Sequence, residues 1–426
     1  MSSAEDISRA GLVRVATAGS VDDGKSTLIG RLLYDSKSIL EDQLAAVERD
    51  SRRRGLDEVN LALLTDGLRA EREQGITIDV AYRYFATPRR TFVLADTPGH
   101  VQYTRNMVTG ASTADVAVVL VDARKGVLEQ SRRHASIAAL LRIPHVVLAI
   151  NKMDLVGWEE AVFDGIALDF AEVAGRLGIT DYEAIPLSAL RGDNVVERST
   201  SMPWYDGPAL LEYLEELEVA SSHDYEHLRL PVQYVILAGD GGGGHHDERR
   251  YAGQLAGGVL RPGEEVLVLP GGLRTTVTAV HEHDEWLDEA FPPQSVSVTL
   301  ADQLDVGRGD MLVGTADAGR ALVTQELRAT VCWMSQQPLA AGRRYAVKHT
   351  SRTARAAVTE VHDRLDLDAL EHRPADTLAM NEIGEVSLRT SLPLVVDPFA
   401  RNRVTGRFIL VDDATNATAG AGLVLG

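Results

Sequence analysis

The chain has 426 residues, of which 45% are hydrophobic and 25% charged, and its formal net charge at pH 7 is −19. A negative charge of this size argues against non-specific binding to DNA or to anionic membranes, because both reward a basic surface. Cys332 is the only cysteine, which excludes an intrachain disulfide and a CxxC metal site. The amino-terminal sequence lacks the apolar core of a signal peptide, and no apolar run approaches the ~20 residues that span a bilayer. We therefore expect a cytoplasmic protein that binds neither membranes nor nucleic acids.

The first half of the chain alternates short apolar runs with amphipathic stretches. Continuous β-branched runs predict buried strands at residues 12–18, 91–95, 116–121, 146–150 and 183–187. The helical spacing of apolar residues predicts a helix that begins at Lys25 and further helices at 131–141 and 208–217. Buried strands that alternate with helices form a mostly parallel, doubly wound sheet covered on both faces.

From about residue 230 the pattern changes to apolar and polar residues that alternate between Gly and Pro turns, without a long helical stretch. This alternation is typical of antiparallel β-barrels, and a second run of the same kind begins near residue 322. We predict an α/β domain at residues 1–222, followed by two antiparallel β-barrel domains at residues 229–316 and 321–426.

A glycine-rich loop directly follows the first predicted strand. Residues 19–26 read GSVDDGKS, which matches the phosphate-loop pattern GxxxxGK[ST]. Backbone N–H groups and the positive end of the next helix surround phosphates in such a loop, while the lysine reaches the β- and γ-phosphates and the hydroxyl binds Mg²⁺. The alternative is a glycine-rich turn without a ligand, and the strand–turn–helix context favours the phosphate loop. The predicted nucleotide contacts are Gly19, Ser20, Val21, Asp22, Asp23, Gly24, Lys25, Ser26 and Thr27.

A second motif, DTPGH at residues 96–100, directly follows the predicted strand at 91–95. An aspartate at this place holds Mg²⁺ through water, and the N–H group of the glycine contacts a γ-phosphate. His100 occupies the position that orients the attacking water, and the alternative is a surface histidine that never faces the nucleotide. The predicted contacts are Asp96, Thr97, Pro98, Gly99 and His100.

The segment QGITI, at residues 74–78, precedes this motif. In GTPases a threonine here folds over Mg²⁺ and the γ-phosphate and orders a switch loop that hydrolysis releases. The alternative is the plain start of a strand. We expect catalysis to depend on His100, Lys25, Thr77 and Gly99, and the metal ion to be held by Ser26, Thr77 and, through water, Asp96.

Two further motifs predict which base the site binds. The sequence NKMD follows the predicted strand at 146–150, and a carboxylate there accepts the N1–H and 2-amino hydrogens of guanine, which adenine lacks. The sequence SAL follows the strand at 183–187 and would complete the base pocket through backbone N–H groups. The predicted contacts are Asn151, Lys152, Met153, Asp154, Ser188, Ala189 and Leu190. Phosphate loop, DxxG, NKxD and SA[KL] in this order predict a GTPase.

At these motifs the sequence resembles the translational GTPases, and within them it is similar to the GTP-binding large subunits of bacterial heterodimeric sulfate adenylyltransferase (CysN type). The similarity rests on residues 19–39, 61–85, 96–134 and 151–156, and on the barrel sequences LPVQYV, YAGQLAGG, GRGDML, NEIGEVSL and RNRVTGRFILVDD. Elongation factors usually carry GHVDHGKT and RGITI. Ser20, Asp23 and Gln74 differ from that pattern in the direction of the sulfate-activating subunits.

The resemblance implies an elongation-factor-like architecture and hydrolysis of GTP with Mg²⁺. It further implies that hydrolysis drives the formation of adenosine 5′-phosphosulfate and pyrophosphate from ATP and sulfate, the first step of sulfate assimilation. The adenylyl transfer would occur in a separate small subunit of the ATP-pyrophosphatase type, in a heterodimer or a higher assembly. The absence of an SGGxDS-type ATP loop and of an HxGH motif agrees with this division of labour.

Two alternatives stay open from the residues alone. A translation-factor GTPase that delivers aminoacyl-tRNA would need an exposed basic groove on its barrels. A nucleotide-dependent scaffold would bind GTP and barely hydrolyse it.

Overall fold

The computed structural model describes residues 11–20, 22–37, 80–98, 103–219, 223–237, 249–283, 285–317, 319–367 and 371–426, together with residues 39, 45, 47, 49, 51, 61 and 369. The chain divides into two compact units, residues 1–222 with 367–370 and residues 223–366 with 371–426. No helix within the described ranges is both long and apolar enough to cross a membrane. The boundaries of the three expected domains stay a prediction.

The first unit contains a six-stranded sheet in the order β2-β3-β1-β4-β5-β6. Strand β2 runs antiparallel to β3 at the edge, and the other strands are parallel, which confirms the predicted sheet. All residues of β4 and β5 are buried, which explains why their sequences are continuous apolar runs rather than alternating ones. The strands are β1 (Leu12–Ala18), β2 (Ala81–Ala86), β3 (Thr91–Asp96), β4 (Val116–Asp122), β5 (His145–Asn151) and β6 (Tyr182–Pro186).

The described helices of this unit connect the strands and bury one face each. Helix α1 buries Leu28, Ile29, Leu32 and Leu33, the apolar face that the sequence predicts. The longest helix, α4, was not predicted, although its buried residues recur at helical spacing: Ile166, Phe170, Val173 and Ala174. The helices are α1 (Lys25–Asp35), α2 (Thr104–Ala111), α3 (Glu129–Leu140), α4 (Glu160–Leu177) and α5 (Leu210–Glu216), with a 3-10 turn at Met153–Val156.

The sheet topology brings the predicted motifs to one edge. Strand β1 pairs with β3 on one side and with β4 on the other, so the strand order reverses beside β1. Parallel strands present their carboxyl ends at the same edge, and ligands of such sheets bind where the order reverses. The segments that follow β1, β3, β5 and β6 therefore share this edge.

The second unit is built of antiparallel strands, as the alternating pattern predicts. Its first part is a sheet in the order β7-β14-β10-β11-β13-β9-β8, with β12 paired to β11. Backbone hydrogen bonds of Arg229 to Ala256 and Gly257, at 2.8 and 2.9 Å, connect β7 with the segment that follows β9. The strands are β7 (Arg229–Pro231), β8 (Tyr234–Leu237), β9 (Arg249–Gln254), β10 (Glu265–Leu269), β11 (Leu273–Glu282), β12 (Glu285–Trp286), β13 (Ser295–Leu300) and β14 (Met311–Gly314).

The second part of this unit is a closed barrel in the order β15-β22-β18-β17-β23-β24, and β24 pairs back to β15. Trp333 is fully buried in its core, where Nε1 donates to Gln337 O at 2.8 Å. The barrel strands are β15 (Leu322–Trp333), β17 (Arg344–His349), β18 (Arg352–Val361), β22 (Ile383–Val396), β23 (Arg407–Val411) and β24 (Thr418–Val424). Two short pairs flank them: β16 (Leu339–Ala340) with β21 (Thr377–Leu378), and β19 (Asp363–Asp366) with β20 (Glu371–Pro374).

A buried ion pair joins the two parts of the second unit. Arg229, in β7, donates through Nε and Nη2 to both carboxylate oxygens of Asp397 at 2.9 Å. The Thr405 hydroxyl adds a third hydrogen bond to Asp397 at 2.6 Å. Neither charged side chain is more than 2% exposed, so the pair has no water to replace a missing partner.

Candidate nucleotide-binding site

The loop between β1 and α1 turns through left-handed backbone conformations. Asp22 has φ 73° and Gly24, the residue before α1, has φ 95°. A Cβ added at Gly24 would lie 2.4 Å from Asn151 Nδ2, and one at Gly19 would lie 3.0 Å from Leu120 Cβ. Both the backbone angle and the lack of space therefore require glycine at position 24.

Lys25 begins α1, and its ammonium group lies inside the loop. Nζ donates to Gly19 O at 2.8 Å and to Ser20 O at 3.4 Å, and the residue is 7% exposed. Burial lowers the pKa of Lys25, while the negative charges of Asp96 and Asp23 oppose that shift. Burial disfavours the charged form of Lys25. The negative charge of a phosphate beside Nζ would stabilise that form, so the position suits a phosphate contact.

Ser20 and Asp23 are hydrogen-bonded to each other within the loop, and each has one buried side-chain oxygen without a partner among the described residues. Ser20 N–H donates to Asp23 Oδ2 at 2.7 Å. Burial raises the pKa of Asp23, although the Ser20 N–H group and the charge of Lys25 act in the opposite direction. Among the described residues, Ser20 Oγ and Asp23 Oδ1 are buried without any hydrogen-bond partner. Because buried polar atoms are nearly always paired, these two atoms indicate a place where a ligand or water binds.

Asn151 connects the phosphate loop to the segment that follows β6. Its Nδ2 donates to Asp23 O at 2.7 Å, and its Oδ1 accepts the N–H groups of Lys152 at 2.8 Å and Ala189 at 2.9 Å. The side chain is buried, and three of its four hydrogen-bonding positions are used. Asn151 thus fixes the distance between the phosphate end and the base end of the site.

At the base end of the site, the Asp154 carboxylate has no hydrogen-bond partner among the described residues, and the residue is half-buried. The N–H groups of Ser188 and Ala189 already donate to Asp193 O and to Asn151 Oδ1, so Leu190 carries the predicted N–H group that no described residue engages. Met153 is fully buried, so its side chain belongs to the core.

Asp122, at the end of β4, is a site residue that the sequence analysis did not name. Its carboxylate accepts Lys152 Nζ at 2.9 Å and Arg124 Nη2 at 2.6 Å, and Lys152 Nζ also donates to Asp22 O. Burial on its own would raise the pKa of Asp122, but the hydrogen bonds from Arg124 and Lys152 outweigh it and hold the pKa well below its usual range. The available signal was an aspartate at the carboxyl end of a buried strand, as in the motifs that were named.

Arg31 and His134 are two further residues of this region that only the structure reveals. Arg31, in α1, donates through Nε to Ala189 O at 3.2 Å and through Nη2 to Leu190 O. These bonds hold the backbone of the segment that follows β6. His134, in α3, is 4% exposed, and its Nδ1 has no hydrogen-bond partner within the described ranges. Burial and the positive charges of Lys25 and Arg133 lower the pKa of His134 to about 3, so the ring is neutral at pH 7.

The DxxG side of the site is described up to residue 98. The Thr97 hydroxyl donates to Thr17 O at 2.6 Å, which fixes the end of β3 to β1. Asp96 and Pro98 are buried at this end, while Ser26 and Thr27 are half-buried in the first turn of α1. The predicted residues Val21, Thr77, Gly99 and His100 lie outside the described residues. Within the described ranges no group of three or more His, Cys, Asp or Glu side chains could hold a metal ion.

Two protein-family models match the chain. The Elongation factor Tu GTP binding domain family matches residues 11–221, and the GTP-eEF1A C-terminal domain-like family matches residues 326–425. Both matches confirm the predicted fold class. Among solved structures, sup35 complexed with GDP is similar at a TM-score of 0.44 and 25% identity, over 98% of this chain and 94% of that chain.

The similarity to curated proteins covers nearly the whole chain. The Bifunctional enzyme CysN/CysC of Mycobacterium tuberculosis (strain CDC 1551 / Oshkosh) is 58% identical over 97% of this chain and 67% of that protein. Sulfate adenylyltransferase subunit 1 of Laribacter hongkongensis is 51% identical over 97% of this chain and 85% of that protein. The protein of the same name from Citrobacter koseri is 50% identical over 97% and 86%. On this likeness, the chain belongs to the family of sulfate adenylyltransferase subunit 1, with a GTP-binding domain of the elongation factor Tu type.

Proposed function

We propose that this chain binds GTP and Mg²⁺ at the carboxyl edge of its six-stranded sheet and hydrolyses GTP to drive a reaction of a small partner subunit. That reaction forms adenosine 5′-phosphosulfate and pyrophosphate from ATP and sulfate in the cytoplasm. The observation that carries the proposal is Asn151, which joins the phosphate loop to the base segment through Asp23 and Ala189. The relatives named sulfate adenylyltransferase subunit 1 support the choice of reaction.

At the phosphate end, Lys25 Nζ exchanges its bonds to Gly19 O and Ser20 O for oxygens of the β- and γ-phosphates. Ser26 and Thr77 would hold Mg²⁺ directly, and Asp96 would hold it through water. A magnesium ion commonly takes one or two carboxylates together with substrate phosphates, which suits a site without a cage of acidic side chains. When bound, Mg²⁺ would supply positive charge that stabilises the negative charge developing on the phosphates.

At the base end, the Asp154 carboxylate accepts the N1–H and 2-amino hydrogens of guanine. An adenine in the same place would leave this carboxylate without donors, which accounts for selectivity. The Leu190 N–H group is free among the described residues to donate to the guanine carbonyl oxygen. Asn151 and Lys152 support this pocket from the phosphate-loop side, since both contact the loop backbone.

Hydrolysis requires a positioned water molecule. We assign this role to His100 together with the Gly99 N–H group, and the closing of the switch loop to Thr77. Release of that loop after hydrolysis changes the contacts of the barrels with the small subunit, which connects the two reactions.

The hydrolysis rate of the purified chain tests the proposal. The rate is measured for the chain alone and after the small subunit, ATP and sulfate are added in turn. We expect a large rise that requires all three additions and that Lys25→Ala abolishes. A rate that none of them changes, together with GTP-dependent retention of aminoacyl-tRNA, would reject sulfate activation in favour of a translation factor.

The assignment of His100 has its own test. His100→Ala should lower GTP turnover while nucleotide affinity stays within about twofold of the original, because the imidazole acts on water and not on the bound nucleotide. Single-turnover hydrolysis and nucleotide titration measure the two quantities separately. Equal turnover in the variant would remove His100 from the mechanism.

A further inference from the structure

The outer surface of the closed barrel carries a cluster of exposed positive charges. Arg344 and Lys348 lie on β17, Arg355 on β18 and Arg389 on β22, three strands that are direct neighbours in the barrel. All four residues are exposed. We call these four residues the basic face.

The strand register places these charges close together. Arg344 and Arg389 both lie opposite Ala357, and Arg355 lies opposite Ala346. Strands are about 4.8 Å apart and alternate residues about 6.7 Å apart along a strand, so each charge has another within roughly 7–10 Å. Only small residues separate them. Charges at this distance repel one another at moderate ionic strength, because the Debye length is about 8–10 Å.

Most of the basic face has no ion pair with the residues that the structure describes. Arg344, Lys348 and Arg389 form no hydrogen bond or ion pair through their side chains with any described residue. Arg355 has a distant contact, 3.8 Å to Asp413 with both side chains largely exposed, and Glu326 lies opposite Arg389 without pairing to it.

Other arginines of the closed barrel and of the strand pair β19–β20 are paired. Arg328, Arg364 and Arg373 contact Glu385, Glu382 and Asp366 respectively. In a chain with a net charge of −19, a group of positive charges that are mostly unpaired among the described residues is a local exception to the overall charge. Self-repulsion of this kind is relieved when an acidic surface covers it.

We propose that the basic face docks an acidic surface of the small partner subunit. This inference rests on the proposed function, which requires such a subunit. A protein partner fits better than a single-stranded nucleic acid, because the bases of single strands stack on aromatic rings, whereas the register positions between these charges hold alanine and threonine.

Charge reversal tests the docking surface. Arg344→Glu and Arg389→Glu are compared with Arg249→Glu, a matched control in which the original arginine is exposed on β9 of the other sheet. Binding of the purified small subunit is measured by titration at low and at physiological salt. We expect each reversal on the basic face to raise Kd by about tenfold or more at low salt, with a smaller effect at higher salt, and the control to change it less than twofold. Unchanged GTP hydrolysis by each variant alone shows that the chain is folded.

The outcomes separate this inference from the proposed function. If the original chain binds the small subunit and neither reversal weakens binding, the docking surface is wrong and the proposed function stands. If the original chain does not bind the small subunit at all, both are wrong. If a single-stranded RNA oligonucleotide binds more tightly than the small subunit and Arg344→Glu abolishes that binding, the face recognises nucleic acid and the inference is overturned.

Discussion

Asn151 and Lys152 hold the phosphate loop in two different ways. Asn151 uses neutral hydrogen bonds of its buried amide, whereas Lys152 uses an ammonium group shared between Asp22 O and the carboxylate of Asp122. A hydrogen bond to a charged group contributes roughly 1.5–3 kcal/mol, about twice the value for a neutral pair. The charged contact depends on Asp122, which acts on the loop through its hydrogen bond with Lys152.

Asp154→Asn should change which nucleotide the site prefers. The variant loses the negative charge and replaces one of the two acceptors for guanine with an N–H group, so we expect GTP affinity to fall by about a hundredfold or more. Xanthosine triphosphate should bind better than GTP, because an amide N–H group can donate to the 2-carbonyl of xanthine. Competition titration with both nucleotides measures the change, with Asp164→Asn on the exposed side of α4 as the control. An unchanged order of affinities would remove Asp154 from base recognition.

Asp122→Asn should accelerate nucleotide release. Without the negative charge of the carboxylate, Lys152 loses its ion pair with position 122, and the loop loses one charged anchor. We expect GDP to dissociate about tenfold faster, in line with the loss of one charge-assisted hydrogen bond. Stopped-flow release of a fluorescent GDP measures this, and the exposed Asp169→Asn in α4 serves as the control. Equal release rates in the two variants would contradict the anchoring role.

His134 predicts a dependence of stability on pH. Its pKa of about 3 in the folded chain lies below the value near 6.5 of an unfolded histidine, so the unfolded chain binds the proton first as pH falls. The free energy of unfolding should therefore fall as pH decreases from about 6.5 towards 3, by up to ~1.4 kcal/mol per pH unit from this residue. Urea unfolding at pH 7, 6 and 5 should show a smaller slope for His134→Gln. Parallel slopes would show that His134 is not the responsible group.

Some residues of the site can be predicted from the sequence and others cannot. Lys25 and Asp154 were predicted because their motifs fix both spacing and chemistry. Arg31, Asp122 and His134 were not, because their roles depend on contacts between elements distant in the chain. Arg31, for example, contacts Ala189, 158 positions further on.

At the scale of elements, the strands were easier to predict than the helices. Strand β1 begins and ends at the predicted residues, and β4 and β5 extend one or two residues beyond the prediction. Their continuous apolar runs follow from burial on both faces. Helix α4 was missed because many of its residues between the buried positions are exposed and apolar, such as Leu168, and this weakens the amphipathic pattern. Strand β2 was missed because it is a partly exposed edge strand.

Breaking the buried pair Arg229–Asp397 should destabilise the second unit. Asp397→Asn removes the negative charge beside the buried Arg229 guanidinium and replaces one of its two acceptor oxygens with an N–H donor. Removal of one partner of a buried ion pair costs about 3–5 kcal/mol. Thermal unfolding followed by circular dichroism measures the loss, and Glu289→Gln, which breaks the exposed pair with Arg261, should cost about 0–1 kcal/mol. Similar losses in both variants would contradict the structural role of the buried pair.

At the scale of the whole molecule, function depends on two properties that composition alone does not give. The overall charge of −19 excludes a generally basic surface, yet four strand positions of the closed barrel form a basic face. The alternating pattern predicts antiparallel strands, but which outer residues become neighbours follows from the register, which the sequence pattern leaves open. The GTP-binding motifs were predictable because each directly follows a strand of the parallel sheet. Ligands of such sheets bind at the carboxyl ends of the strands.

The central claim is that GTP hydrolysis drives adenosine 5′-phosphosulfate formation, and the yield of that product tests it most directly. The purified chain and the small subunit are incubated with ATP, sulfate and either GTP or a non-hydrolysable GTP analogue, and the product is quantified at the plateau. We expect the plateau with GTP to rise clearly above the plateau with the analogue, and Lys25→Ala to remove the difference. Equal plateaus with GTP and the analogue would contradict the claim, because nucleotide binding alone cannot move an equilibrium between free reactants and products.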